Sequence, residues 1–178
     1  IYQVDAFADH LFGGNPAAVC PLAEWLPDGV MQAVAGENNL SETAFVVAEA
    51  DGLRIRWFTP TSEVRLCGHA TLAAAWVWLR HCAEAPGPDT LTFRSLSGPL
   101  TVTRETADRL TLDFPREPFE PANAPDALVK GVGAAVQEVV AGQDWLVRLA
   151  DEAAVRELRP DLGCLRALDR RGVIVTAE

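Results

Sequence analysis

Hydrophobic and polar residues alternate along several short segments of the chain, which is the pattern of β-strands that bury one face. Residues 53–59 alternate in this way, and the apolar run 44–50 precedes them. The Asp51-Gly52 pair between them is a hairpin turn signal, so the two segments are predicted to pair. Three further alternating strands are predicted within residues 91–114. The N-terminal part of the chain is therefore predicted to be built around a sheet.

Two segments have a helical pattern instead. Residues 26–39 place apolar residues at helical spacing and end among Gly and Asn residues, which tolerate a left-handed turn. Residues 68–82 are apolar on nearly every side. A helix with no polar face has to be buried all round. The pattern therefore predicts a sheet wrapped around this central helix.

A segment rich in proline and charged residues, 116–125, is the best candidate for a linker. It separates a predicted first lobe, 1–115, from a second lobe, 126–178, in which the strand and helix patterns begin again. A lobe of about 50 residues is too small to bury a comfortable core alone, so this lobe is predicted to be incomplete. Its predicted elements are a helix at 126–131, strands at 136–140 and 144–149, helical segments at 151–158 and 161–168, and a strand at 172–176.

The charge of the chain narrows the range of its partners. Fifteen Lys and Arg residues oppose 25 Asp and Glu residues, which gives a formal net charge of −10. Such a field repels phosphate backbones, and no basic cluster offsets it, so we expect no nucleic-acid partner. No apolar run reaches the roughly 20 residues of a membrane helix, and no secretory signal is recognisable. We therefore expect no membrane partner and a cytoplasmic location.

The four cysteines are scattered along the sequence, with neither a CxxC pair nor the spacing typical of zinc sites. In the expected cytoplasmic setting they are predicted to be reduced thiols, and no metal site is predicted from them. They are Cys20, Cys67, Cys82 and Cys164.

An acidic residue, Glu42, stands between a turn-like Asn-Leu-Ser and an apolar run. A carboxylate at the mouth of a strand is well placed to act as a general acid or base. The alternative is a local structural role, in which Ser41 or Glu42 satisfies the amides of the turn. The residue pattern alone leaves both interpretations open.

A second group of candidates stands at the start of the apolar helix. The first amides of a helix that begins near Gly68 attract an anion such as a carboxylate. His69 could donate a proton or a hydrogen bond there, and Cys67 could serve as a thiolate base. The alternatives are a histidine that caps a buried helix and a cysteine that acts as a small buried apolar residue. Asn15 could present its amide to a carboxylate or form a plain Asn-Pro turn.

Four long motifs resemble those of one family. They read VDAFADHLFGGNPAAVC, NNLSETAFV, IRWFTPTSEVRLCGHATLAAAW and GVIVTA, and they span essentially the whole chain. They are similar to the phenazine-biosynthesis PhzF-like isomerases, which are relatives of diaminopimelate epimerase. The resemblance implies an α+β fold of two similar lobes. Each lobe is an antiparallel, rolled, barrel-like β-sheet around a central α-helix, with the second lobe incomplete here and the site in the cleft between them.

The resemblance also implies roles for the candidate residues. Glu42 falls on the acid/base residue of the family, and Asn15, Ser41, Gly68 and His69 are the expected substrate-binding residues. The implied activity is a cofactor-independent proton transfer within a small carboxylate-bearing metabolite. Such a reaction needs an acid and a base at one site and no cofactor when the carbon acid is activated by its neighbours.

Two departures from the family pattern keep other functions open. Cys67 stands where the epimerase relatives carry a catalytic cysteine, so a cysteine-based racemase or epimerase is one alternative. The Gly-Ser motif expected late in the second lobe is not found in the sequence, so a truncated, non-catalytic binding module is another. We expect the 178-residue chain to be catalytically incomplete alone. Its expected partners are a second copy or a missing C-terminal segment.

Overall fold

The computed structural model of the protein divides into two compact units, Ile1–Phe114 and Pro115–Glu178, which are considered separately below. It describes residues 1–10, 12–83, 88–107 and 109–177.

The first unit contains an eight-stranded sheet in which seven strands follow the order β1-β2-β3-β4-β6-β7-β8, with β5 paired to β4. Its helices are α1 (Asp28–Asn38) and α2 (Gly68–Val77), and α2 continues into a π-helical turn, Trp78–Cys82. The strands are β1 (Tyr2–Ala6), β2 (Asn15–Leu22), β3 (Glu42–Glu49), β4 (Gly52–Phe58), β5 (Glu63–Val64), β6 (Thr90–Ser95), β7 (Gly98–Arg104) and β8 (Leu110–Asp113).

The predicted α+β class is confirmed, but the sheet is mixed rather than uniformly antiparallel. Strands β2 and β3 are parallel, and so are β4 and β6. Parallel neighbours need a crossover connection, usually helical. Helix α1 provides it between β2 and β3, and the segment that includes α2 provides it between β4 and β6. The short hairpin turn predicted at Asp51-Gly52 joins β3 and β4, which are antiparallel.

Helix α2 is the centre of the first unit. It contacts β1, β2 and β3 at one end of the strand order and β8 at the other, so the sheet must curl around it. Its alanines Ala70, Ala73, Ala74 and Ala75 are at most 1% exposed. Their small side chains let the strands approach the helix closely.

No helix in the described part of the chain has the length and apolar composition needed to cross a bilayer.

The sheet is covered on its other face by α1. Met31 and Ala35 of α1 pack with Cys20, Phe45 and Phe58 in a second apolar cluster. Strand β3 is therefore buried on both faces, which explains its continuous apolar run in place of alternation. This double coverage fixes the position of β3, the strand that begins with Glu42.

The second unit holds a four-stranded sheet in the order β12-β11-β10-β9, with β11 and β12 parallel. Each of the six elements predicted for this part has an observed counterpart. The segment expected to be a linker contains the short strand β9, in which Pro121 can lie because an edge position needs no second hydrogen-bonding neighbour. The elements are β9 (Glu120–Pro121), α3 (Asp126–Val132), β10 (Glu138–Ala141), β11 (Trp145–Arg148), α4 (Glu152–Arg156), α5 (Leu162–Leu165) and β12 (Val173–Thr176).

The second unit has its own apolar cluster despite its small size. Leu128 and Val132 of α3 pack there with Val147 of β11 and with Leu149, and all four are almost fully buried. Asp144, only 4% exposed, is paired with Arg171, whose Nε donates to its Oδ1 at 3.0 Å. The pairing offsets the cost of burying a carboxylate.

We predict that enlarging one alanine of α2 destabilises the first unit. Ala74→Leu adds bulk at a position with 0% exposure, and overpacking of this kind typically costs about 1–3 kcal/mol. Ala33→Leu, on the exposed face of α1, is the matched control and should change the free energy of unfolding by less than about 0.5 kcal/mol. Urea denaturation measures both values. Equal stability of the two variants would contradict the close packing around α2.

Candidate active site

The parallel pairing of β2 and β3 places the starts of both strands at one edge of the sheet. Asn15 begins β2 and Glu42 begins β3, and Glu42 is in register with Ala17. The Ser41 hydroxyl donates a hydrogen bond to Asn15 Oδ1 at 3.3 Å. The topology therefore brings Asn15 close to Ser41 and Glu42, although Asn15 lies 26 residues before Ser41 in the sequence.

The turn before Glu42 is held by residues of the helix end. Asn39 adopts a left-handed conformation with φ of 49°, and its N–H donates to the Ala35 carbonyl at 3.1 Å. The Asn38 amide donates to Thr43 Oγ1 at 3.0 Å. The cap of α1 is thus provided by Asn39 rather than by Ser41 or Glu42. The Glu42 side chain is not needed for this cap.

The start of α2 lies at the same site. Cys67 is the extended residue before the helix and Gly68 is its first residue. The Cys67 side chain does not cap α2 with a hydrogen bond of normal geometry, although its sulfur lies near the Ala70 amide. The fully buried Thr71 donates from Oγ1 to the Cys67 carbonyl at 2.5 Å, which fixes the backbone there. Sequence reasoning missed Thr71, although its position four residues after Cys67 is the spacing of such a bond.

Three side chains from these two segments form a compact cluster. His69 Nε2 lies 3.3 Å from Glu42 Oε2, and the Cys67 sulfur lies 3.5 Å from His69 Nδ1. One donor atom from each residue falls within 4.8 Å of the other two. In the described part of the chain, this is the one group of three His, Cys, Asp or Glu residues so arranged. The His69 side chain is 9% exposed and that of Glu42 is 19% exposed, so the carboxylate is the more accessible group.

The Nε2 atom of His69 is buried and lacks a hydrogen-bond partner among the described residues. It is close to Glu42 Oε2, but the ring N–H direction does not meet the geometry of a hydrogen bond. A buried polar atom left without a partner is uncommon in proteins and calls for an explanation. The atom is available to a group that enters the cluster.

The Cys67 thiol is strongly biased toward its protonated form. Burial, the largest cause, acts together with the neighbouring Glu42 carboxylate to raise the pKa of Cys67 to about 12. The nearby Ala70 backbone amide lowers the pKa of the Cys67 thiol, but this effect is outweighed. Near neutral pH the residue is therefore a thiol, and the start of α2 does not make it a thiolate.

The six residues predicted for the site occupy two adjoining positions. One position holds the Asn15–Ser41 pair and the other holds the cluster of Glu42, Cys67 and His69. Gly68 begins α2, between Cys67 and His69.

Structures with the same architecture define the class of protein. A PhzF-family phenazine biosynthesis protein from Enterococcus faecalis matches with a TM-score of 0.90 at 47% identity, over 99% of this chain and 67% of that chain. A predicted epimerase from Pseudomonas aeruginosa, 24% identical, matches with a TM-score of 0.68 over 98% of this chain and 68% of that chain, which shows the fold alone. The fold is that of the PhzF-like and epimerase-like α+β proteins.

The sequence comparisons then give the family. The family model for phenazine biosynthesis-like proteins matches residues 4–178. An uncharacterized isomerase of P. aeruginosa is 54% identical over 178 residues, which are 100% of this chain and 68% of that protein. The chain belongs to the phenazine biosynthesis-like (PhzF) family. This confirms the resemblance of the four sequence motifs and makes isomerisation the class of activity to be tested.

We predict that Cys67 resists alkylation in the folded protein. Near neutral pH, iodoacetamide should modify the exposed Cys82 and should react with Cys67 on the order of a hundredfold more slowly. The reason is that the buried Cys67 thiol, with its raised pKa, is almost never ionised. Its rate should rise with pH, since the thiolate fraction grows until the pKa near 12 is approached. Peptide mass spectrometry measures both sites, and denatured protein should label fully. Equal native rates would contradict the assigned protonation state.

Proposed function

We propose that this protein takes part in a cofactor-independent isomerisation in which Glu42 moves a proton between two carbons of a small carboxylate-bearing metabolite. The observation that supports this most directly is the position of Glu42. Glu42 is the first residue of β3, and its side chain is partly exposed. Its Oε2 atom lies 3.3 Å from His69 Nε2. A single carboxylate so placed can remove a proton from carbon and return it to another carbon of the bound substrate.

In this proposal, the thiol of Cys67 sets the tautomer of His69. A protonated thiol donates to Nδ1, which then acts as the acceptor, and the ring proton resides on Nε2. An Nε2–H beside Glu42 can donate to a substrate oxygen on which negative charge develops. Donors positioned in advance toward such charge are a major source of catalysis. The lack of a fitting partner for Nε2 in the described residues accords with this role.

The substrate carboxylate is assigned to the start of α2. The Cys67 side chain does not cap this ten-residue helix with a hydrogen bond of normal geometry, and the helix dipole favours an anion at its first amides. Gly68, the first residue of α2, has no side chain that could cover these amides. The Asn15–Ser41 pair, at the adjoining edge of the sheet, offers further hydrogen-bonding groups.

The alternative mechanism, a racemase or epimerase that uses Cys67 as its base, is less consistent with the site. A thiol with a pKa of about 12 is a poor source of thiolate near neutral pH. The third interpretation, a binding module without turnover, predicts carboxylate binding without exchange at carbon even when Glu42 is present.

We predict that Glu42→Gln lowers turnover by roughly 10²–10⁴-fold, with little loss of substrate affinity, because the amide keeps the shape but cannot carry a proton. The assay follows hydrogen–deuterium exchange at carbon by NMR, in D₂O, across a panel of small carboxylates. It uses the chain alone and a chimera in which the chain replaces the matching region of the 54% identical P. aeruginosa relative.

Glu37→Gln is the matched control for this experiment, since Glu37 is exposed on α1 and has no part in the proposed reaction. It should retain full exchange activity. Near-normal exchange in the Glu42 variant would exclude the acid/base assignment. Carboxylate binding without exchange, in both the natural chain and the chimera, would favour the binding module.

We predict that Cys67→Ala retains most of the activity, because the proposed proton transfer does not pass through sulfur. A modest reduction is expected from the loss of the donor to His69 Nδ1. The same exchange assay measures it, with circular dichroism to show that the variant is folded. Abolished exchange in a folded Cys67→Ala protein would favour the cysteine-based mechanism instead.

A further inference from the structure

Strand β3 is buried on both faces, so hydrophobicity alone does not distinguish its two sides. The residues that follow Glu42, 43–47, are all buried. A strand with one buried and one exposed face has its register fixed by that difference, and β3 lacks it. A shift of one residue would carry every side chain of β3 to the opposite face. Apolar packing holds β3 between the helices, but another interaction has to select the register that places Glu42 beside His69.

The side chains at the start of β3 alternate between the two helices. Glu42 lies beside His69 of α2, and Ala44 belongs to the apolar cluster around that helix. Thr43 and Phe45 face the other way, toward α1, where Thr43 meets the end of the helix and Phe45 belongs to its apolar cluster. The first residue of β3 on the α1 face is therefore a polar one, Thr43.

Thr43 is only 1% exposed, and its hydroxyl has a partner on α1. The side-chain amide of Asn38, the last residue of α1, donates a hydrogen bond to Thr43 Oγ1 at 3.0 Å. This bond spans the turn in which Asn39 is left-handed, and it reaches the residue directly after Glu42. A shift of β3 by one residue would turn Thr43 toward α2 and separate it from Asn38. A buried hydroxyl left without its partner is costly, so the bond favours the observed register.

We propose that Asn38 and Thr43 are positioning residues, whose hydrogen bond fixes the register of β3 and thereby keeps the Glu42 carboxylate beside His69 Nε2. Both side chains lie on the face of the sheet opposite to Glu42, so they act through the backbone of β3. Single buried polar residues that fix register are well attested in coiled coils, and this pair has the same role within a sheet. An effect on turnover rests on the proposed function of Glu42, whereas the position of Glu42 beside His69 does not.

The first experiment measures the surroundings of His69 by NMR of the imidazole nitrogens, and it needs no substrate. The chain has three histidines, and His69→Gln identifies the His69 signals by their loss. Glu42→Gln replaces the carboxylate that lies 3.3 Å from Nε2, so it gives the Nε2 shift of a ring without that charge. His10 and His81 are exposed, and their signals serve as internal references that should stay in place.

Replacements of the pair test the proposal against this scale. Thr43→Val keeps the shape of the side chain and its preference for strands, but it cannot accept a hydrogen bond from Asn38. Thr43→Val and Asn38→Ala should each move the Nε2 shift toward that of Glu42→Gln. Thr43→Ser keeps the hydroxyl and should leave the shift unchanged. Thr92→Val, at an exposed position of β6, is the matched control and should also leave it unchanged. Circular dichroism establishes that each variant is folded.

The second experiment measures hydrogen–deuterium exchange in the chimera, with the carboxylate of the panel that exchanges fastest. Thr43→Val should lower turnover by about tenfold or more with little change in KM, because misplacing a reacting group lowers the rate rather than the affinity. Thr43→Ser should keep most of the activity. In the Glu42→Gln background Thr43→Val should cause no further loss, because its effect passes through the carboxylate. A general loss of stability would lower turnover equally in both backgrounds.

Two results would overturn the proposal. One is an Nε2 shift in folded Thr43→Val and Asn38→Ala that equals the shift of the natural chain. The other is a loss of turnover from Thr43→Val that has the same size with and without Glu42. Should Thr43→Val fail to fold, Asn38→Ala gives both measurements. If no carboxylate of the panel exchanges, the proposed function fails while the NMR comparison still decides the role of the pair, so the two failures are distinguishable.

Discussion

The first unit depends on the complete burial of one helix. Helix α2 has almost no polar face, so exposing any side of it to water would cost free energy. The sheet therefore curls around it. Its alanines set the distance at which the strands pack. Because the strands are held against α2, the starts of β3 and α2 are fixed beside each other. The positions of Glu42 and His69 therefore follow from the apolar packing of β3 and α2.

The cluster of Glu42, Cys67 and His69, where β3 and α2 begin, combines a buried neutral group with an accessible charged one. Burial favours the neutral form of Cys67, while the partly exposed Glu42 keeps access to water. His69 lies between the two, with one nitrogen toward the thiol and the other toward the carboxylate. In such surroundings hydrogen bonds are stronger than in water, and an unpartnered atom is more costly. The site is therefore sensitive to any ligand that supplies the missing partner of Nε2.

The sequence was sufficient for those features that local patterns determine. The all-apolar pattern predicted a buried helix at 68–82, which is confirmed for Gly68–Val77, whereas Trp78–Cys82 is a π-helical turn with no buried residue. Asp51-Gly52 predicted the hairpin between β3 and β4. The parallel pairing of β2 and β3 was not predicted, because register between strands joined by a helix depends on tertiary packing. The contact between His69 and Glu42 depends on that register. Motif resemblance named both residues, but neither their distance nor the protonation of Cys67 can be read from residue spacing.

The protonation of one buried sulfur bears on the whole cluster. Burial favours the protonated thiol of Cys67, and a thiol that donates to Nδ1 of His69 leaves the ring proton on Nε2. Nε2 then carries a hydrogen-bond donor 3.3 Å from the more accessible Glu42 carboxylate, which is an acceptor. A donor and an acceptor so close together, in surroundings that exclude most water, are the two groups on which the proposed proton transfer depends.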